Sequence, residues 1–171
     1  LHQQQTDFYR LFHGSHEGQH GQTVNRNDSK QLVQSFHQPL TREALLDLHA
    51  LCCAQLASPL QLVYNDRSAG NSRIDRRASV YSASTEALAD QQGQEWGIHY
   101  RVRGRHAGQD PLLFIDLRQA RAWVKANSAG KAVLNLFAYT CGVGLCAAAG
   151  GAREVVNLDF AEGNLAVGRE N

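Results

Sequence analysis

The stretch Lys131–Asn171, KAVLNLFAYTCGVGLCAAAGGAREVVNLDFAEGNLAVGREN, decides the fold. Ala132–Phe137 carries Val133, Leu134, Leu136 and Phe137, the pattern of a strand buried on both faces of a parallel sheet. Gly142 and Gly144 then open an alanine-rich run, Leu145–Ala149, that favours helix. Gly150-Gly151 stops that helix, and Glu154–Leu158 is a second apolar strand ending at Asp159. Strand, glycine loop, helix and a strand tipped by an acid form a nucleoside-cofactor site. Glycines let backbone N–H groups approach a ligand, and the helix N-terminus favours its anionic part. Asp159 is placed to accept hydrogen bonds from two ribose hydroxyls.

Two cofactor classes fit at this level. Gly142-Val143-Gly144-Leu145-Cys146-Ala147 satisfies G-x-G-x-x-A, so an NAD(P)-dependent oxidoreductase using that loop is one reading. Against it, a dinucleotide turn begins almost at the strand end, whereas here Ala138-Tyr139-Thr140-Cys141 intervenes.

The run VLNLFAYTCGVGLCAAAGGAREVVNLDFAEGNLAVGREN resembles the class I S-adenosylmethionine (SAM)-dependent methyltransferases of the ribosomal RNA large-subunit I/K group. Upstream, LLFIDLRQARAWV (Leu112–Val124) is similar to that group's F-L-D-x-R-x-x-R-x-x-V element. Cys141 stands where many relatives have glycine, and Leu117 where some have glutamine. The resemblance implies SAM as cofactor and a base in RNA, ribosomal RNA above all, as acceptor. It implies a cofactor site at Asn135, Phe137, Ala138, Tyr139, Thr140, Gly142, Asp159 and Phe160, with Asp116 and Arg118 at its mouth. On this reading the loop backbone and Thr140 meet the methionine end of SAM, Asp159 takes the ribose, and Phe160 lies beside the adenine. No catalytic residue is assigned. A doubly wound sheet needs further strands, so the chain is expected to be a piece of a longer protein with its catalytic motif beyond Asn171.

The rest of the chain bounds the reading. The fold class expected is α/β: residues 106–171 start a Rossmann-like methyltransferase sheet, incomplete here, and residues 1–105 form a small mixed α+β region before it. Within that region Phe8–Gly14 reads as a short strand and turn. Thr41 is the N-cap of a helix whose face is Leu45, Leu48, Leu51, Cys52 and Leu56 and which Pro59 stops. Leu60–Tyr64 is a strand, and Ala83–Gln94 reads as helix or linker. Gly97–Arg105 alternates: Ile98, Tyr100 and Val102 face one way, and His99, Arg101, Arg103 and Arg105 the other.

Residues 97–125 hold six Lys or Arg against two Asp, while the whole chain is only +1, so any nucleic-acid contact must be local. Arg101, Arg103, Arg105 and Arg121 are the candidate RNA-phosphate ligands. A non-catalytic RNA-binding module is the remaining alternative. His13, His16 and His20 have helical spacing, but Gly14, Gly18 and Gly21 oppose a helix there, and no metal is expected. Cys141 and Cys146 read as small packing residues rather than nucleophiles. Four cysteines in neither a zinc nor a disulfide pattern, with no apolar run long enough to span a bilayer, point to a cytoplasmic protein that does not enter membranes.

Overall fold

The computed structural model describes residues 5–68, 79–82, 84–104 and 111–171. The architecture is mixed α/β with several small sheets, divided into two compact units. One unit comprises Asp7–Gln91 and Arg103–Pro111; the other comprises Leu1–Thr6, Gln92–Val102 and Leu112–Asn171. The boundary expected between residues 105 and 106 lies outside the described residues.

The first unit is a five-stranded sheet in the order β1-β2-β3-β4-β5: Phe8–His13, Gln22–Asn27, Lys30–Ser35, Gln61–Asp66 and Ser79–Ser82. Neighbours are antiparallel except β3 and β4, which are joined by a crossover helix, α1 (Arg42–Leu56). Thr41 caps α1 by accepting the Ala44 N–H at 3.2 Å, and left-handed Ala57 ends it two residues before Pro59. One sheet face packs Val24, Val33, Leu62 and Tyr64 against Leu45 of α1. Leu51, expected on the inner face of α1, is exposed. The other sheet face packs Leu32 and Val63 against Ala87 in the short 3-10 turn Glu86–Leu88. Strands β2 and β3 were not legible in the polar N-terminal sequence.

The segment expected as helix or linker is corrected in its second half. Asp90–Glu95 is a strand, β6, forming a hairpin with β7 (Ile98–Arg103). Trp96 and Gly97 both have positive φ, as a two-residue hairpin turn requires. Tyr100 and Val102 are fully buried, as the alternation predicts.

In the second unit a 3-10 turn (Ile115–Leu117) leads into α2 (Arg118–Asn127). Then follow β8 (Ala132–Leu136), α3 (Gly142–Ala149), β9 (Glu154–Leu158) and α4 (Glu162–Glu170). Strands β8 and β9 are parallel, Ala132 opposite Glu154 through Leu136 opposite Leu158. The expected burial of β8 on both faces is not observed. Leu134, Leu136, Val156 and Leu158 form an exposed apolar face, because among the described residues these two strands pair only with each other and α3 covers the opposite side.

Candidate cofactor site

The connection from β8 to α3 has an unusual backbone. Phe137, Tyr139 and Cys141 are all left-handed, at φ 55°, 51° and 62°. Non-glycine residues pay for that conformation, and three in five positions must be held by their surroundings. Asp159, at the tip of β9, does much of the holding. Its Oδ2 accepts the Tyr139 N–H at 2.8 Å and its Oδ1 accepts the Ala161 N–H at 2.9 Å. The Ala161 and Tyr139 N–H groups hold its carboxyl below the usual aspartate range, so it is ionised at neutral pH. Each carboxylate oxygen still has a lone pair to offer. Phe160 follows Asp159 directly and Phe137 follows the end of β8; both stand out from the surface, 94% and 84% exposed.

Beneath the loop, Asn135 of β8 donates to the Asn157 side chain of β9 at 2.8 Å. A Cβ on Gly144 would collide with that same Asn157 amide. Gly144 is therefore glycine to let α3 lie over the Asn135–Asn157 pair, which accounts for its place in G-x-G-x-x-A without a pyrophosphate. Gly142 begins α3, where a Cβ would lie 3.3 Å from Leu113. Ala138 is buried.

Thr140 is buried as well, and its hydroxyl donates to the Leu112 carbonyl at 2.5 Å. The donor expected at the ligand's methionine end is thus committed to the protein. The Tyr139 ring lies against Phe114, centroids 4.8 Å apart. Asp116 is exposed on the 3-10 turn, whereas Arg118 at the start of α2 donates Nε to Glu95 at 3.1 Å. Cys141 and Cys146 are buried, and burial pushes both thiols up, away from nucleophile character.

The family model for S-adenosylmethionine-dependent methyltransferases matches residues 10–171. The chain belongs to that family. A ribosomal RNA large subunit methyltransferase K/L of Psychrobacter arcticus is 48% identical over 105 residues, covering 61% of this chain and 13% of the relative. A ribosomal RNA large subunit methyltransferase I of Aeromonas hydrophila is 28% identical over 169 residues, covering 95% of this chain and 41% of the relative. Among solved structures, a chain described as a methyltransferase and complexed with SAH matches with a TM-score of 0.79 and 26% identity. That match covers 99% of this chain and 42% of the other. The chain thus spans less than half the length of these relatives.

The site's donor set fits the cofactor of this methyltransferase family. SAM presents a ribose diol, an adenine ring and a zwitterionic methionine end. Asp159 is a part-exposed ionised acceptor suited to a diol, Phe160 offers a free aromatic face, and the α3 N-terminus supplies backbone N–H groups. The dinucleotide reading falls with the family assignment.

The candidate RNA ligands fare unequally. Arg121 is corrected: it is 1% exposed, its Nε donates to Glu95 at 2.7 Å, and it has no surface to offer a phosphate. Arg101 pairs with Glu170, and Arg103 forms a bidentate pair with Asp90 at 2.7 and 2.8 Å. Arg105 lies outside the described residues. His13 ends β1 and His16 sits in the turn after it, ring centroids 5.3 Å apart. Among the described residues no group of three His, Cys, Asp or Glu is placed to hold a metal, and no helix is long and apolar enough to cross a membrane. Sequence reasoning missed Glu95, Asn157 and Phe114. Only the collision at Gly144 hinted at one of them, and it needs coordinates to be seen.

Proposed function

We propose that the protein is an enzyme that transfers a methyl group from SAM to a base in RNA, with ribosomal RNA as the natural acceptor. The observation that carries the reading is the ionised Asp159 at the tip of β9, pinning a left-handed loop, in a chain of this methyltransferase family. The names of its relatives, ribosomal RNA large subunit methyltransferases, support the acceptor class. The proposal includes a Rossmann-like sheet of which β8–α3–β9 is the start, within residues 106–171, and a mixed α+β region over residues 1–105. It also includes a cytoplasmic location, supported by four cysteines that form no disulfide.

When bound, SAM supplies an electrophilic methyl group on a sulfonium sulfur. The residues of this chain bind and orient. Asp159 accepts from the ribose diol, and Phe160 and Phe137 shield the adenine from water. The Tyr139 and Cys141 N–H groups are held by Asp159 and by the Ala138 carbonyl, so the N–H groups of Thr140 and Gly142 are the loop donors for the methionine end, and Asp116 and Arg118 flank the entrance. Asn135, Ala138 and Thr140 hold the loop in shape. Holding donor and acceptor in line is the main catalytic contribution required of the protein. Arg101 and Arg103 of β7, with Arg105 beyond it in sequence, meet RNA phosphates; the side chains of Arg101 and Arg103 remain 30% and 39% exposed despite their ion pairs.

The test is methyl incorporation from labelled SAM into ribosomal RNA, followed by nucleoside digestion. Label in a methylated base is expected. Label in protein would overturn the acceptor class. Binding of both RNA and SAH with no transfer would leave a non-catalytic RNA-binding module.

A further inference from the structure

We propose that the buried Glu95–Arg121 ion pair positions the cofactor loop, acting through the strap Leu112–Phe114. The inference rests on reading the Asp159 loop as the SAM site.

Glu95 is fully buried and accepts three side-chain donors: Arg121 Nε at 2.7 Å, Arg118 Nε at 3.1 Å and Thr6 Oγ1 at 3.2 Å. Apolar residues of like volume usually fill a core at least as well as a buried ion pair, so such a pair invites a search for what its geometry specifies. Arg121 divides its fork between two targets. Nε goes to Glu95, and Nη1 donates to the Phe114 carbonyl at 2.5 Å.

The strap it grips is strained. Leu112 is left-handed at φ 71°, a conformation that bulky residues avoid. The Thr140 hydroxyl holds the Leu112 carbonyl, and the Phe114 ring supports the Tyr139 ring. Tyr139 in turn donates its N–H to Asp159. A contiguous path therefore runs Glu95, Arg121, Phe114, Tyr139, Asp159. Arg121 touches no ligand on this path; it sets where Tyr139 and Asp159 stand.

Two variants separate positioning from bulk stability. Arg121→Lys keeps a cation beside Glu95, but an ammonium lacks the planar fork that spans Glu95 and the Phe114 carbonyl together. Phe114→Leu keeps the carbonyl and removes the ring. Tyr139 amide exchange, measured without ligand, and SAH affinity by calorimetry are the readouts. In either variant the Tyr139 amide should exchange faster, while the Val33 and Val63 amides of the five-stranded sheet keep their protection. SAH should weaken by about fivefold in each, the order of one lost hydrogen bond for Arg121→Lys and of one lost aromatic contact for Phe114→Leu. In the double variant the losses should not multiply, because both act on one path.

Unchanged Tyr139 exchange with SAH affinity within about twofold of the parent would overturn the proposal, as would losses that multiply. If Arg121→Lys fails to fold, Phe114→Leu decides by the same two readouts. Failure of the parent protein to bind SAH would sink the cofactor reading, and the ligand-free exchange rates would then judge the Arg121 path separately.

Discussion

The five-stranded sheet and the β8–α3–β9 unit treat their side chains in opposite ways. The first buries all of β3 and most of β2 and β4, including Asn25, Asn27, Gln31, Gln34 and Asn65. The second leaves Leu134, Leu136, Val156 and Leu158 between 47% and 62% exposed. Residue type does not explain the difference; cover does. One sheet has α1 on one face and the Glu86–Leu88 turn on the other, while β8 and β9 have α3 on one face only among the described residues. The region that announces its chemistry most clearly in sequence is also the one whose apolar face is least covered.

Truncating matched leucines tests this contrast most strongly. Leu62→Ala, at a fully buried position, should cost about 3 kcal/mol of unfolding free energy, whereas Leu158→Ala should cost less than about 1 kcal/mol. Equal losses in urea denaturation would mean that the β8–β9 face is covered in solution. Glycines sharpen the same point inside the second unit. Gly144→Val forces a side chain into Asn157 and should cost about 2–3 kcal/mol, while Gly163→Val, with open space around it and a better helix former in place of glycine, should be neutral or slightly stabilising.

Asp159→Ala should weaken SAH by about tenfold or more, since charge-assisted acceptors for the diol vanish and the Tyr139 N–H loses its partner. The pH dependence has a definite sign. The folded carboxyl titrates below the ordinary aspartate value, so its stabilising contribution is complete above that value and fades as pH falls through the lower folded one. Loop order at Tyr139, followed by NMR, should persist at pH 5 and be lost first on acidification. The smallest effect belongs to the surface: Arg103→Gln should change stability by less than about 1 kcal/mol, because its pair with Asp90 is part-exposed. If the β7 strip meets phosphate, Arg101→Gln with Arg103→Gln should flatten the salt dependence of RNA binding, by about 0.7 per lost contact in log K against log salt.

Legibility in the sequence follows the same divide. The strand, loop, helix, strand order and Asp159 were readable because their signals are local: glycines at a helix start and stop, and an acid at a strand tip. The Thr41 cap and the β7 alternation were local too. Strands β2 and β3 escaped because Asn25, Gln31 and Gln34 are polar yet buried, a choice made by their neighbours in the sheet rather than by the segment. Strand β6 escaped because Asp90-Gln91-Gln92-Gly93-Gln94-Glu95 has no apolar period; the turn at Trp96-Gly97 pairs it with β7. Arg121 was misread as a surface charge because its partner, Glu95, lies 26 residues away. Charge on a helix says nothing of burial until the opposing carboxylate is known.

The most direct test of the cofactor site is an amide-exchange footprint of SAH. Saturating SAH should protect the amides of Phe137–Gly142 and Asp159–Ala161 and leave Val33 and Val63 unchanged, and that footprint should be lost in Asp159→Ala. Binding that protects none of these amides, or a footprint that survives Asp159→Ala intact, would contradict the assignment of the site.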